Sequence, residues 1–187
     1  MAKGRKVKLK DVAEVFSGIF LKTDPDGDVA YLQAKDCDEA VVTRYASRVH
    51  LSPKAQKSLL RPGDILFASK GANYISRVFY GEAKAVASTS FFVIRTRQET
   101  LSPEYLCWFL RLPATERYFK TFQIGSTTPL IRKNVVDELE IPVPDRHTQT
   151  LIVNMSRLAQ REKKLQEEII KRKQLILQQF LMNVSSV

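Results

Sequence analysis

Asp64 is followed 18 residues later by Glu82, with Lys84 two positions beyond. Two carboxylates and a lysine at such spacing could hold Mg²⁺ and orient a water, the chemistry of a metal-dependent nuclease. Their surroundings favour a plainer reading. Asp64 closes a Pro-Gly-Asp turn, and Glu82-Ala83-Lys84 is a polar bend after Gly81. His50 and His147 are the two histidines, and neither has a partner at a catalytic or ligating spacing, which leaves them surface or capping roles. Cys37 and Cys107 form neither a CxxC nor a Cys/His pattern, so neither zinc nor a disulfide framework is suggested. They suit a reduced, cytoplasmic compartment. A Walker phosphate loop and the Asn-Pro-Pro-aromatic run of amino-methyltransferases are both missing. The residues therefore point away from an enzyme, with the nuclease as the sharpest enzymatic alternative.

Binding chemistry is better represented. Lys and Arg number 30 against 20 Asp and Glu, giving a net charge of +10 and an isoelectric point near 9.7. Such a surplus favours a polyanionic partner, nucleic acid first among them, over the alternative of a merely soluble basic protein. Apart from the run Lys3–Lys10, the charge is spread through segments that read as folded. Reading duplex DNA needs donors and acceptors for base edges, and cations or backbone amides for phosphates. Ser69-Lys70-Gly71-Ala72-Asn73-Tyr74, with Arg77 beyond, places a cation, an amide and an aromatic in one loop. Asn73 could pair with adenine, and Lys70 or Arg77 could reach guanine or a phosphate; the plain alternative is a solvated hairpin connection. Gly125-Ser126-Thr127-Thr128, with Arg132 and Lys133, offers hydroxyls and cations around a glycine. Lys35 and Arg44, with Gln33 leading in, flank a third candidate loop, and Lys22 with Thr23 is the weakest. Phe91 and Phe92 read as core rather than as base-stacking platforms.

The elements that must hold these loops are short and mixed. Val7–Val15 is an amphipathic stretch closed by Ser17-Gly18, and Asp24-Pro25-Asp26-Gly27-Asp28 is a turn by composition. Strands are expected at Val29–Gln33, Ile65–Ala68, Val78–Tyr80 and Phe91–Arg95, where β-branched and aromatic residues cluster. A short helix is expected over Leu51–Leu60 with Ser52 as N-cap and Pro53 at its first position. Others are expected at Glu104–Leu112, capped by Ser102, and at Ala114–Phe122; Val135–Ile141 is a last structured stretch ended by Pro142 and Pro144. Together these predict one α+β unit over residues 1–145. No apolar run approaches the ~18 residues of a membrane span, and no signal peptide is expected.

From Thr148 to Met182 the chain has neither glycine nor proline. Leu151, Met155, Leu158, Leu165, Ile169 and Ile176 recur at steps of three and four, which makes a coiled-coil seam. Residues 146–187 are therefore expected to be a long helix for dimerisation and spacing, its partner a second copy. Continuing the seam puts Glu162 and Arg172 on it, where charge is costly unless paired. Parallel helices in register would set each beside its own copy. Antiparallel helices crossing near Glu167 would set Glu162 against Arg172 twice. The alternative is a seam that rotates, or packs on the globular unit, so that both charges reach solvent.

Four stretches in order resemble the specificity subunits of type I restriction–modification enzymes. They are VAYLQAKDCDEA (Val29–Ala40), with an acidic position at Asp36-Cys37, and LRPGDILFASKG (Leu60–Gly71), the turn and strand. STSFFVIRTRQETLSPEYLCWFL (Ser88–Leu110) resembles the strand, spacer and helix, and IGSTTPLIRKNVVDELEIPVPDRHTQTLI (Ile124–Ile152) the glycine loop, the "IPlP" close and the start of the long helix. The resemblance covers nearly the whole chain. The usual subunit has two target-recognition domains and two antiparallel helices, whereas this chain has one of each and looks like a half-subunit. The resemblance implies a non-catalytic DNA-reading domain; taken with the seam, this gives one domain per half-site in an antiparallel homodimer. It implies docking of a methyltransferase subunit that carries S-adenosylmethionine, and of a restriction subunit in some complexes. A different class of function is a regulatory protein that pairs with a full-length specificity subunit.

Overall fold

Ile65-Leu66-Phe67-Ala68 and Phe91-Phe92-Val93-Ile94 contain no polar residue, so a strand made from either must be covered on both faces. The structure is a computed structural model that describes residues 5–37, 41, 43–71, 74–81, 83–97, 99–125 and 129–185. In it these runs are β5 (Ile65–Ala68) and β8 (Phe91–Thr96), paired antiparallel with Ile65 opposite Ile94 and Phe67 opposite Phe92. Beside them lie β2 (Ala13–Ser17) and β6 (Ser76–Val78), giving the order β2-β8-β5-β6. A second sheet has β3 (Val29–Leu32) at its centre, antiparallel to β4 (Ser47–Val49) and parallel to β7 (Ala85–Ala87). Strand alternation then assigns its two faces. Ala30, Leu32, Ala85 and Ala87 enter the core that holds Leu66, Phe79, Phe91 and Val93, whereas Val29, Tyr31 and Val86 pack with Val49 on the other side.

Leu9–Val12 is the single turn α1, between β2 and the strand β1 (Arg5–Lys8). β1 pairs antiparallel with β9 (Glu140–Val143). Ser102 caps α2 (Pro103–Leu110) as expected, its hydroxyl accepting from the Tyr105 amide, with Pro103 at the first helical position. α3 (Pro113–Thr121) and α4 (Lys133–Asp137) follow, and α5 runs from Arg146 to Ser185. Asp145 starts α5 by accepting from the amide and the hydroxyl of Thr148, at 2.9 and 2.7 Å. Those bonds hold its carboxyl below the usual range. Gln149 is wholly buried, its side-chain oxygen accepting from the Ser102 amide and its nitrogen donating to the Thr100 and Pro144 carbonyls.

The chain forms two compact units, Met1–Gln149 and Thr150–Val187. The α+β class expected from the sequence is the class observed, and several local expectations are corrected. The segment expected as one amphipathic stretch, Val7–Val15, divides into β1, α1 and β2, because Lys8 pairs across to Glu140 while Ala13 pairs to Thr96. The helix expected over Leu51–Leu60 is a 3₁₀ segment, Pro53–Ser58, and Ser52 makes no side-chain cap. It stops there because Leu59 bridges to Val86 and the Leu60 amide donates to the Ala85 carbonyl. The strand expected at Val78–Tyr80 lies earlier, at Ser76–Val78, in register with β5. Among the described residues no helix is long and apolar enough to cross a membrane.

Candidate nucleic-acid interface

Two polar loops far apart in sequence meet at the end of β5. The Ile131 amide donates to the Ser69 carbonyl and the Gly71 amide to the Pro129 carbonyl, each at 2.9 Å, while Lys70 bridges to Leu130. Leu130 also bridges to Ile124, just beyond α3. Gly71 and Gly125 both take positive φ, at 101° and 87°, a region that glycine enters without steric cost. The loops are thus fixed to the sheet and to each other by backbone hydrogen bonds. Lys70 and Arg132 project from this seam with exposed side chains. Lys133 is exposed too, but it opens α4 and its ammonium pairs with Asp137 at 2.6 Å. Asn73, Ser126 and Thr127 lie outside the described residues.

Two members of the expected set belong to the interior instead. Ser69 is buried, its hydroxyl donating to the Ser90 carbonyl at 3.1 Å. Tyr74 is buried between Phe67 and Phe119, at 6.4 and 5.7 Å between ring centroids. Its loop position suggested an exposed aromatic, but the three rings together bury more apolar area than a solvated tyrosine would. Arg77 is half-buried on β6, where its guanidinium donates to the Ser76 carbonyl at 2.8 Å.

The remaining cations lie on segments that lead into or out of the strands. Gln33 follows β3, and its amide donates to the buried Asp36 carboxylate at 2.9 Å, closing a 3₁₀ turn that leaves Lys35 exposed. Arg44 is exposed with its guanidinium carbon 5.8 Å from the Tyr45 ring centroid, within cation–π range. Lys22 is exposed on the segment after β2. Two aromatics went unread beside these cations. Phe20 is 82% exposed and Tyr45 79%. The signal for Phe20 was the alternation Ile19, Phe20, Leu21, Lys22, apolar and polar faces disguised by three apolar residues in a row.

The residues considered for chemistry are otherwise engaged. Asp64 is 1% exposed, and Arg95 grips it side-on, Nε donating to Oδ1 at 2.8 Å and Nη2 to Oδ2 at 2.7 Å. The Arg61 amide also donates to Oδ2 at 2.8 Å, and Gly63, at φ 93°, completes the turn. That carboxylate fixes the turn into β5. Glu82 lies outside the described residues. Among the described residues no three of His, Cys, Asp and Glu gather into a metal-holding group. Burial pushes the Cys37 thiol up to about 12, aided by Asp36, and burial likewise raises Cys107, whose thiol contacts Ser76. His50 lies 3.7 Å from both Asp24 and Asp28 on the surface.

In the second unit every uncharged residue of the expected seam is at least 50% exposed: Leu151, Met155, Leu158, Leu165, Ile169 and Ile176. Glu162 accepts from Gln166 at 3.2 Å, and Arg172 is exposed. Towards the C-terminus the apolar surface widens beyond one stripe, because Ile170, Leu175, Leu177, Phe180 and Leu181 are exposed as well.

The profile of the family described as the type I restriction modification DNA specificity domain matches residues 3–172. Three solved structures share the fold. The HsdS subunit from Thermoanaerobacter tengcongensis aligns with a TM-score of 0.65 at 18% identity, over 87% of this chain and 38% of that one. A chain from a study of complex assembly and conformational transition of the type I R-M system aligns at 0.68 and 19% identity, over 87% and 39%. The type I restriction–modification S subunit from M. genitalium aligns at 0.57 and 18%, over 86% and 40%. The chain thus spans about two fifths of the length of the solved chains it matches. No curated protein sequence matches it.

Proposed function

The chain belongs to the type I restriction–modification DNA specificity family, and on that premise we propose that it recognises duplex DNA by sequence and carries out no catalysis itself. The observation that carries this reading is the joined pair of loops after β5. Backbone hydrogen bonds hold Lys70 and Arg132 on one rigid seam, as groups that read bases or phosphates must be held. Lys22, Gln33, Lys35, Arg44 and Lys133 extend the set, together with Asn73, Ser126 and Thr127 of the same loops.

The exposed stripe of α5 supports a homodimer, with two copies antiparallel and Glu162 of one against Arg172 of the other. Such a pair reads a split palindrome with an unread spacer. α5 has 40 residues, about 60 Å of helix, which exceeds the 34–36 Å of one DNA turn. The wider apolar surface beyond Ile169 exceeds what one partner helix covers and supports docking of a methyltransferase subunit. That subunit would bring S-adenosylmethionine, and a restriction subunit would complete a cleaving complex. A cytoplasmic site follows from this reading.

The test is enrichment of a random duplex pool on the purified chain, alone and with its methyltransferase. The expected product is a split palindrome, bound with an affinity that falls steeply with salt, by about 0.9 log units per log unit of salt for each phosphate contact. Lys70→Ala should flatten that slope if Lys70 meets phosphate, or change the preferred base if it reads an edge. Binding indifferent to salt, or no enrichment in either format, would overturn the reading.

A further inference from the structure

Phe20 is the most exposed large apolar residue among those described, at 82%, yet the chain around it is firmly held. The Gly18 amide donates to the Phe91 carbonyl and the Ile19 amide to the Ala87 carbonyl, each at 2.9 Å. A Cβ on Gly18 would lie 2.1 Å from the Ser88 carbonyl oxygen, so the backbone passes there at closest approach. The Ile19 carbonyl accepts from the Tyr31 hydroxyl at 3.0 Å, and Ile19 and Leu21 pack against the cluster of Val29, Tyr31, Val49 and Val86. Extended chain sends successive side chains to opposite sides. With Ile19 and Leu21 inward, Phe20 and Lys22 face outward together. The Asp24 amide then donates to the Arg48 carbonyl at 2.9 Å, tying this segment to β4, whose leading turn carries the exposed pair Arg44 and Tyr45.

An aromatic ring held in water on a pre-ordered backbone loses little further entropy when it stacks. Lys22, exposed on the same side, supplies a cation beside the ring, while the carboxylates of the turn that follows, Asp24 and Asp28, face His50. A ring with one adjoining cation suits a partner that offers both π-faces and phosphates, which nucleic acid does. We propose that Phe20 inserts its ring at a base step of the bound duplex and stacks on the base it exposes, while Lys22 meets the adjoining phosphate. This rests on the DNA-recognition reading and adds to it a contact by stacking, indifferent to hydrogen-bond pattern, from the segment that packs on the β3–β4–β7 sheet rather than from the Lys70–Arg132 seam.

The test uses the full chain and the duplex pool enriched by the wild type. Phe20→Ala should weaken binding by about 5-fold, the low end of one lost base stack because insertion at a duplex step also costs unstacking, with the salt slope unchanged because no charge is removed. Lys22→Ala should instead lower that slope by about 0.9. Phe20→Trp should keep the affinity and add an indole emission that duplex DNA quenches, measured against the wild type with Trp108 alone. Equal far-ultraviolet circular dichroism for the variants shows that the fold is kept. Wild-type binding with Phe20→Ala unchanged overturns this inference alone. So does a Phe20→Ala chain that binds DNA normally but loses its methyltransferase, which would assign the ring to a protein contact. A wild type without affinity for duplex DNA overturns the recognition reading and this inference together.

Discussion

The globular unit and the long helix solve opposite problems with similar residues. In Met1–Gln149 the large apolar side chains are mostly covered, and even the polar group at the turn into β5 is internally matched, Asp64 by Arg95 and by the Arg61 amide. In α5 beyond Gln149 the leucines, isoleucines and methionines of the seam are half exposed or more. A helix of this length with an apolar stripe, broken only by Glu162 and Arg172, gains little from propensity and much from burial. One unit therefore closes on itself, while the other leaves its apolar stripe exposed. On the proposed reading, the DNA-contacting groups sit on the unit whose core is already closed in the monomer, and assembly falls to the helix whose apolar stripe is exposed.

The largest effects should separate the two units. Replacing Leu165 and Ile169 by serine removes two seam residues from each copy. At about 1.5–3 kcal/mol per buried aliphatic side chain, the proposed homodimer should fall apart at micromolar concentration, as sedimentation would register, while the globular unit keeps its unfolding midpoint. Arg95→Met should do the reverse. It leaves Asp64 buried without its cation, a loss of about 3 kcal/mol, visible in urea unfolding of the globular unit, with dimerisation intact. If either substitution moves both readouts equally, the units are not energetically separate and the comparison fails.

Smaller effects sharpen it. Glu162→Arg and Arg172→Glu should each weaken the homodimer by about tenfold, and the double swap should restore most of the loss, because an antiparallel pair sets 162 against 172 in both directions. A double swap no better than either single change rules out this register. The smallest effect concerns pH. Hydrogen bonds from Lys10 and Lys8 lower the Glu138 carboxyl from 4.5 to about 2. A carboxylate with a depressed folded value contributes stability that is complete above 4.5 and lost as pH falls from there to about 2. The group is open to solvent, so the contribution is small. Glu138→Gln should remove a slight slope of stability within that window and change nothing near neutrality, as acid titration of the unfolding midpoint would measure.

The candidate site was legible only in part. Lys70, Arg132 and Gly125 stood out because polar residues interrupted apolar strands, and composition alone marks such breaks. Ser69 and Tyr74 had the same local signature and are buried, since a loop residue's exposure depends on what packs over it: here Ser90 and Phe119, distant in sequence. Phe20 was missed because a strand-like alternation is hard to see where the outward residue is itself apolar. Gln149 carries no local signal of its role, and only its three partners at Ser102, Thr100 and Pro144 explain what it holds.

The sequence by itself determined the α+β class, the continuous strands β5 and β8, the cap at Ser102 and the long helix with its stripe. Each of these rests on interactions within a few residues or on a periodic pattern, which composition and spacing carry directly. The tertiary structure alone decided that β3 is central and paired parallel to β7, and that the loops at 69–71 and 129–131 form one seam. It also decided that Asp64 belongs to Arg95, 31 residues away. Those outcomes depend on which distant backbone edges and charges can be satisfied simultaneously around a shared core, and no local spacing encodes that choice.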